Sequence, residues 1–353
     1  MPLSPACASE TQPPPLAAEP ARLAAKGLLI AIAAAGERLV AVGDHGIIVL
    51  SDDKGRSWTQ ATAVPAQVLL TGVCFIDAQH GVAVGHDEVI LTSADAGRTW
   101  KRTHYAPQAQ RPLLDVWCGA GGHVIAVGAY STYLTSSDGG DSWNEVGFMP
   151  ARRTAPAGAA PGAKAAGAKA AGAGTGSATA DTGADGQAQA GGGYHLNRIA
   201  GAGAAQLYIA GEAGHLYRSD DGGATWLTLA SPYEGSFFDV LPLGGDAVLA
   251  IGLRGHLYRS SDAGASWQKI DTGTLELLDG ATQFGTGAVA IVGFSGVVLV
   301  SHDGGRSFML RQQADRAGLA AVVAAGDETL AAVGEDGAKL ISLAAAPAAR
   351  SAP

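Results

Sequence analysis

Ser93-Ala94-Asp95-Ala96-Gly97-Arg98-Thr99-Trp100 is one of six copies of the same octapeptide in this chain of 353 residues. The shared pattern, Ser-x-Asp-x-Gly-x-Ser/Thr-aromatic, predicts a tight hairpin. The carboxylate at the third position can accept hydrogen bonds from the backbone N–H groups of the turn, and glycine at the fifth position tolerates a positive φ. The aromatic residue at the eighth position can begin the next strand and wedge between neighbouring units.

The six copies recur at a nearly constant spacing. They begin at Ser51, Ser93, Ser136, Ser219, Ser260 and Ser301, so successive starts differ by 42, 43, 83, 41 and 41 residues. Their carboxylates are Asp53, Asp95, Asp138, Asp221, Asp262 and Asp303, and their aromatic residues are Trp58, Trp100, Trp143, Trp226, Trp267 and Phe308. A period of this length is typical of the four-stranded blades of a β-propeller.

A second marker, a small or apolar pair followed by glycine, adds one further unit. It occurs at Gly43, Gly85, Gly128, Gly211, Gly252, Gly293 and Gly334. The chain is therefore predicted to be all-β, a seven-bladed β-propeller of four-stranded antiparallel blades with the octapeptide between the third and fourth strands. In the second unit the predicted strands are Leu69–Ile76, Gly81–Gly85, Glu88–Thr92 and Trp100–His104. The seventh unit has no octapeptide, and only three strands of its own are predicted.

The propeller is predicted to span residues 26–343, between tails at 1–25 and 344–353. The doubled spacing before Ser219 is explained by an Ala/Gly-rich insertion, Ala151–Gly193, which is predicted to be disordered because it offers few apolar side chains for a core. Lys26–Ala35 is predicted to be the first strand rather than a signal segment. The segment Ala17–Ala25 is the candidate for the strand that completes the seventh blade.

The octapeptides resemble the Asp-box, or BNR, repeat of sialidase-type propellers and of the photosystem II stability/assembly factor family with its bacterial relatives. The resemblance covers roughly Lys26 to Leu343. The count of seven units and the Gly-x-x-Gly-x-Leu-Tyr-Arg-Ser-x-Asp rhythm of Gly211–Asp221 and Gly252–Asp262 favour the assembly-factor branch. This resemblance implies a non-catalytic, exported scaffold that binds a membrane-associated protein partner.

Composition narrows the classes of partner. The net charge is −9 and no basic stripe occurs, which disfavours a nucleic-acid partner, and no apolar run is long enough to cross a membrane. We expect a monomer without a cofactor, located in the periplasm or otherwise exported. Three cysteines give no disulfide framework. Cys74 and Cys118 occupy matching places in adjacent units, and they are interpreted either as buried free thiols or as a disulfide between blades.

Candidate binding residues lie on one rim of the predicted ring. Second-to-third turns and fourth-to-first connections share this rim, which we call the variable rim because its residues differ from blade to blade. The candidates are Glu212, Arg254 and Phe294 on the turns, His195, Tyr233 and Glu234 on the connections, and Asp239 and Asp279 near the starts of first strands. Aromatic, arginine and carboxylate groups together suit the recognition of a protein segment. The Asp-box carboxylates lie on the opposite rim and are predicted to be structural.

Two other functions would each require a recognisable pattern of residues. A sialidase-like hydrolase needs several inner arginines to clamp a carboxylate, and here only Arg198 begins such a pattern, without the proline that follows in sialidases. A metal site built from His45, His86 and Asp87 lacks tight ligand spacing. No catalytic residue and no metal are therefore predicted, and a sialidase-like or carbohydrate-binding propeller is the alternative function.

Overall fold

The computed structural model describes residues 16–152 and 193–344. It contains seven sheets, and the first strand of each sheet lies against the first strands of its two neighbours, the last against the first. The predicted seven-bladed β-propeller is therefore confirmed. No helix in the described part of the chain is long and apolar enough to cross a membrane.

The blades follow the chain in order, each built outward from a strand beside the central channel. Blade 1 comprises β1 (Leu29–Ala35), β2 (Arg38–Gly43), β3 (Ile48–Ser51) and β4 (Thr59–Gln60). Blade 2 comprises β5 (Leu70–Phe75), β6 (Gly81–Gly85), β7 (Ile90–Ser93) and β8 (Lys101–His104). Blade 3 comprises β9 (Leu113–Cys118), β10 (Val124–Gly128), β11 (Tyr133–Ser136) and β12 (Asn144–Glu145). Blade 4 comprises β13 (Ala151–Arg152), which adds a fifth strand at its outer edge, and then β14 (Leu196–Ala202), β15 (Gln206–Gly211), β16 (Leu216–Ser219) and β17 (Leu227–Thr228) from the channel outward.

The remaining three blades complete the ring. Blade 5 comprises β18 (Phe237–Gly244), β19 (Ala247–Gly252), β20 (Leu257–Ser260) and β21 (Gln268–Ile270). Blade 6 comprises β22 (Leu278–Phe284), β23 (Ala288–Gly293), β24 (Val297–Ser301) and β25 (Met309–Gln312). Blade 7 comprises β26 (Leu319–Gly326), β27 (Thr329–Gly334) and β28 (Gly337–Ser342). Short 3₁₀ turns occur at Ala24–Lys26, Asp44–Gly46, His86–Glu88, Pro107–Ala109, Ala120–Gly122, Ala129–Ser131, Glu212–Gly214, Leu253–Gly255 and Phe294–Gly296.

The Asp-box carboxylates are engaged within their own turns. In the copy at Ser51, the Asp53 carboxylate accepts hydrogen bonds from the backbone N–H of Ser57 at 2.8 Å and from its hydroxyl at 2.6 Å. The Ser51 hydroxyl donates to the same carboxylate and accepts from the Gly55 N–H. These bonds, led by that of the Ser57 hydroxyl, lower the pKa of Asp53 to about 2. The other five copies repeat the network, which accounts for the Asp-box by folding alone.

The second marker glycines have a steric explanation. A Cβ on Gly43 would lie 2.1 Å from the carbonyl oxygen of Leu28, which precedes β1, and the following residue, Asp44, donates its N–H to that same carbonyl. Corresponding bonds run in the other blades from His86, Ala129, Glu212, Leu253, Phe294 and Glu335. Each blade therefore needs glycine where its incoming chain crosses the end of its second strand.

Box tryptophans pack between blades to different depths. Trp100 is 6% exposed and lies in a cluster with Val40 and Leu50 of blade 1 and Leu91 of blade 2. Trp226 is buried in the same way between blades 3 and 4, whereas Trp143 is only half-buried. The predicted wedge is therefore strongest at these two junctions.

Cys74 and Cys118 form a disulfide, with their Cα atoms 5.7 Å apart. The interpretation as free thiols is wrong. The pairing follows from topology, because β5 and β9 lie side by side at the channel and carry the two cysteines at matching positions. Blades 2 and 3 are thus joined covalently.

Other sequence predictions need correction at segment ends. Lys26–Ala35 does contain the first strand, but Ala17–Ala25 supplies no strand to blade 7; its end, with Lys26, forms a 3₁₀ turn. Ala151 and Arg152, placed in the insertion, instead form β13 and pair in parallel with β17. The rest of the predicted disordered insertion, apart from Gly193, lies outside the described residues, as do residues 1–15 and 345–353 of the tails. Glu88, predicted to begin a strand, lies in a turn with φ of 50°.

Replacing Trp100 by alanine is expected to lower the free energy of unfolding by about 3–5 kcal/mol, because a buried indole leaves a cavity between blades 1 and 2. Denaturant unfolding of the purified variant measures this loss. Trp143→Ala is the matched control at the same box position, and a smaller loss is expected because that indole is half-buried. Equal losses for the two variants would contradict the packing difference.

Removing the disulfide with Cys74→Ala and Cys118→Ala is expected to lower the free energy of unfolding by about 2–4 kcal/mol, since the cross-link closes a long loop in the unfolded chain. Denaturant unfolding with and without reductant is the measurement. Reductant should destabilise the wild type and leave the double variant unchanged. A reductant effect of equal size in both proteins would assign the effect to another cause.

Candidate binding rim and channel mouth

The second-to-third turns of six blades share one backbone conformation. Their central residue has a left-handed φ between 51° and 59°, at His45, Asp87, Tyr130, Ala213, Arg254 and Ser295. A left-handed conformation costs a non-glycine residue of the order of 1–2 kcal/mol, so its repetition is a property of the fold rather than a sign of one special site. The turn conformation does not require a particular central side chain, and the central residue differs from blade to blade.

Tyr233 and Arg254 both lie in blade 5, on the variable rim. The Tyr233 ring packs on His256 with a centroid distance of 4.1 Å, and His256 lies nearly parallel to Tyr258. Arg254 is exposed and lines a groove of about 490 Å³ with Thr274 and Leu275. The structure therefore places an aromatic stack and an exposed guanidinium on the same blade.

Phe294 occupies the first position of the corresponding turn in blade 6. Its side chain is 46% exposed, which is a large exposure for a phenylalanine. Glu234 is also exposed, beside Tyr233 in the connection into blade 5. The predicted Tyr233, Arg254 and Phe294 set thus lies on two adjacent blades, 5 and 6.

His195 and Glu212 are brought together at the entrance of blade 4. The Glu212 carboxylate accepts the His195 backbone N–H at 3.3 Å and lies 4.0 Å from its Nδ1 atom. The His195 ring also meets Tyr130 of blade 3 edge-on, with centroids 5.1 Å apart. Both predicted residues therefore belong to one half-buried cluster on the rim.

The mouth of the channel holds a buried ionic cluster. The Nε atom of Arg198 lies 3.2 Å from Asp239 and 3.5 Å from Asp115, so one guanidinium sits between carboxylates of the two flanking blades. Asp279 of blade 6 belongs to the same electrostatic group and is half-buried. Burial raises the pKa of Asp239 to about 6 and that of Asp279 to about 7, against the lowering effect of Arg198.

Asp239 also ties neighbouring blades through the backbone. Asp239 is 2% exposed, and its carboxylate accepts a hydrogen bond from the Ala281 N–H of blade 6 at 2.7 Å. The Asp115 carboxylate likewise accepts a hydrogen bond from the Ile199 N–H of blade 4 at 2.9 Å. Asn197 makes a comparable contact by donating to the Phe237 carbonyl. Asp239 is therefore a buried link between blades, whereas Asp279 is only half-buried beside the channel.

Two features of the rim are absent from the predicted site. Tyr194 is 48% exposed and stacks on His215 at 3.8 Å, which repeats in blade 4 the arrangement of Tyr233 on His256. The shared sequence His-Leu-Tyr-Arg-Ser, which begins at His215 and at His256 and nowhere else in the sequence, could have indicated that the two blades carry the same stack. The second feature is Glu88, whose buried carboxylate accepts Arg111 Nε at 2.7 Å and lies 3.3 Å from His104 Nε2.

Across residues 16–152 and 193–344, no group of three His, Cys, Asp or Glu side chains is placed to hold a metal ion. Arg198, the one residue that began a sialidase-like pattern, is already paired with two carboxylates. A guanidinium so compensated is not free to clamp the carboxylate of a sugar acid. The arrangement suits binding through the rim better than hydrolysis in the channel.

Fold and rim together define an Asp-box β-propeller with a variable rim that is rich in aromatic residues. The family described as photosynthesis system II assembly factor YCF48 matches residues 56–191, and the chain resembles that family. No curated protein matches it in sequence.

Solved structures agree with the fold. YCF48 bound to D1 peptide superposes with a TM-score of 0.63 at 14% identity, covering 95% of this chain and 98% of that one. YCF48 from Cyanidioschyzon merolae gives 0.61 at 13% identity, with 90% and 95% covered. The WD40 β-propeller domain of Doa1 gives 0.61 at 10% identity, with 92% and 95% covered. At these identities the likeness shows the fold alone.

The channel cluster predicts a pH-dependent stability. Because the folded pKa values of Asp239 and Asp279 lie above the ordinary 3.8, their contribution to stability is greatest when they are protonated and falls as the pH rises from about 4 to about 7. The melting temperature should therefore fall less between pH 5 and pH 8 in Asp279→Asn than in the wild type. Asp327→Asn, in an exposed hairpin turn of blade 7, is the matched control. Identical pH profiles for wild type and Asp279→Asn would contradict the assignment.

Proposed function

We propose that this chain is a non-catalytic scaffold or assembly factor that binds a protein segment of a membrane-associated complex through its variable rim. The observation that carries the proposal is the contrast between the two rims. On the Asp-box rim the carboxylates of the boxes are engaged in hydrogen bonds within their own turns. On the variable rim, exposed aromatic and charged side chains occupy positions where the turn imposes no side-chain identity.

The rim has the composition of an interface centre. Arg254 and Phe294 are exposed on adjacent blades, and Tyr233 presents an aromatic surface already held by His256. Aromatic residues and arginine supply most of the binding energy in protein interfaces, and side chains fixed before binding lose less entropy. The rim therefore favours a peptide or loop over a nucleotide or nucleic acid.

Partner and compartment follow from two further observations. A similar solved structure is YCF48 bound to D1 peptide, which supports a polypeptide ligand for a propeller of this shape. The disulfide between Cys74 and Cys118 supports an exported location, since such bonds persist in oxidising compartments. We place the protein in the periplasm or an equivalent exported space, as a monomer.

The alternative, a sialidase-like or carbohydrate-binding propeller, is less well supported. Arg198 is compensated by Asp115 and Asp239, and the predicted rim residues include no second arginine beside Arg254. Binding of a sugar acid needs uncompensated positive charge, whereas the channel mouth has an excess of carboxylates over arginine.

A triple variant, Tyr233→Ala, Arg254→Ala and Phe294→Ala, is expected to keep the fold and lose the partner captured by the wild type from host membranes. The reason is that the variant removes the aromatic and cationic anchors of the rim, none of which is a fully buried core residue. Affinity capture from detergent-solubilised membranes, followed by mass spectrometry, is the measurement, and a melting curve checks the fold.

The matched control carries three changes on the opposite rim: Lys54→Ala, Arg98→Ala and Arg306→Ala, all exposed. This control should retain the partner. Retention by the rim variant together with loss by the control would assign binding to the Asp-box rim instead.

A further inference from the structure

The junction between blades 7 and 1 differs from the others in its backbone pairing. In the described part of the chain, blade 7 has three strands, and no strand pairs with the outer edge of β28. Beside this edge lies a groove of about 420 Å³, which we call the seam groove. Its lining includes Lys26, Arg56, Trp58, Lys339 and Leu340.

Junctions filled by the chain itself show what main chain fits there. Between blades 1 and 2, the segment after β4 runs alongside the Asp-box of blade 2. Thr62 donates its N–H to the Arg98 carbonyl at 2.9 Å, and the Ala63 carbonyl accepts the Trp100 N–H at 2.9 Å. Between blades 3 and 4, β13 pairs with β17 in the same parallel sense. An extended segment therefore pairs first with a third strand and then with the next Asp-box.

At the seam, the corresponding groups are the Arg56 carbonyl and the Trp58 N–H. Neither has a main-chain hydrogen bond of the kind made by Arg98 and Trp100, as far as the described residues go. Within the same residues, the N–H groups of Trp143, Trp267 and Phe308 also lack this bond, so the feature specific to the seam is the edge of β28. The edge of β28 extends for six residues, Gly337–Ser342, and no strand in the described part of the chain pairs with it. Unpaired edges of this kind are templates for an added strand.

The side chains around the groove define what the added strand must carry. Leu340 is 38% exposed and Trp58 is half-buried, so the floor is apolar. Lys26 and Arg56 are exposed at its border, while Lys339 is already paired with Asp315 at 2.7 Å. No acidic residue lines the groove, although the whole chain has a net charge of −9. The seam groove thus has an apolar floor, Trp58 and Leu340, with the cationic side chains of Lys26 and Arg56 at its border.

The chain's own ends match this groove poorly. Ser342 stands where Ser51 begins an Asp-box, but alanines 344, 346 and 349 stand where that box has its Asp, Gly and Trp. That end carries a basic residue, Arg350, and no acidic side chain. Residues 1–15 include five prolines, which have no N–H to donate. Between those prolines, residues 6–12 keep their N–H donors but carry a single acidic side chain, Glu10. Neither end therefore supplies two carboxylates for Lys26 and Arg56.

We propose that the seam groove captures an extended, acidic segment of a partner protein as the fourth strand of blade 7. The captured segment pairs antiparallel with β28 and then in parallel with Arg56–Trp58, with apolar side chains on Trp58 and Leu340 and carboxylates near Lys26 and Arg56. This inference rests on the proposed function as a protein-binding scaffold and adds a second contact surface away from the variable rim.

A fluorescent hexapeptide of alternating valine and glutamate is the probe, with the valine–lysine peptide as its counterpart. Fluorescence anisotropy should show that the wild type binds the acidic peptide. The wild type should bind the lysine peptide, and the Lys26→Glu, Arg56→Glu variant should bind the acidic peptide, at least about tenfold more weakly. A tenfold loss of affinity corresponds to about 1.4 kcal/mol of binding free energy. Hydrogen exchange should show slower exchange of β28 amides, and not of β3 or β7 amides, when the acidic peptide is present.

Arg98→Glu is the matched control, because Arg98 holds the same box position as Arg56 at a junction that the chain fills itself. It should bind the peptide as the wild type does. Equal weakening by Arg98→Glu, or no change in β28 exchange, would overturn the inference. Protection of the β28 amides in the absence of peptide would also overturn the inference. Light scattering would then distinguish protection by a chain end in a monomer from protection by a second copy in a dimer.

Failure here is distinguishable from failure of the rim assignment. The Tyr233→Ala, Arg254→Ala, Phe294→Ala variant should bind the hexapeptide normally, since the rim and the seam share no residue. Loss of peptide binding in that variant would also count against the seam.

Discussion

One hydrogen bond, made once in every blade, organises the ring. The N–H that follows the marker glycine donates to the carbonyl preceding the first strand of the same blade, and the missing Cβ of the glycine allows that approach. The bond fixes the incoming connection against the second-to-third turn. Residues distant in sequence, such as Tyr233 and His256, are thereby held side by side. The binding surface is therefore a by-product of the constraint that builds the blades.

Much of this architecture could be predicted from the sequence because both repeated motifs are local. The Asp-box needs only eight consecutive residues to satisfy its carboxylate, so its spacing reports the blades directly. The strand β6 was predicted with its observed bounds, Gly81–Gly85. Segments without a motif were predicted poorly. Ala17–Ala25 was assigned by elimination, and Ala151–Arg152 was grouped with the insertion because composition does not report a pairing with β17.

The candidate site was only partly predictable, for a related reason. Turn residues such as Arg254 and Phe294 could be placed on the rim from blade topology, and the structure finds them exposed there. The ionic cluster at the channel depends on contacts across three blades. Nothing near Arg198 in the sequence indicates that Asp115 and Asp239 flank it. The disulfide was equally hard to predict, since matching positions on adjacent strands permit two cysteines to bond but do not require it.

The bond between Cys74 and Cys118 gives the ring a direction of unfolding. Within residues 16–152 and 193–344, most junctions are held by packing and hydrogen bonds, one is covalent, and the junction of blades 7 and 1 has the fewest strands. A closed ring resists opening until one junction yields, and the junction with an unpaired edge has least to lose. Opening would then spread from the seam around both arcs toward blades 2 and 3, which would separate last. Mechanical pulling or proteolysis would accordingly release blade 7 before the disulfide-linked pair.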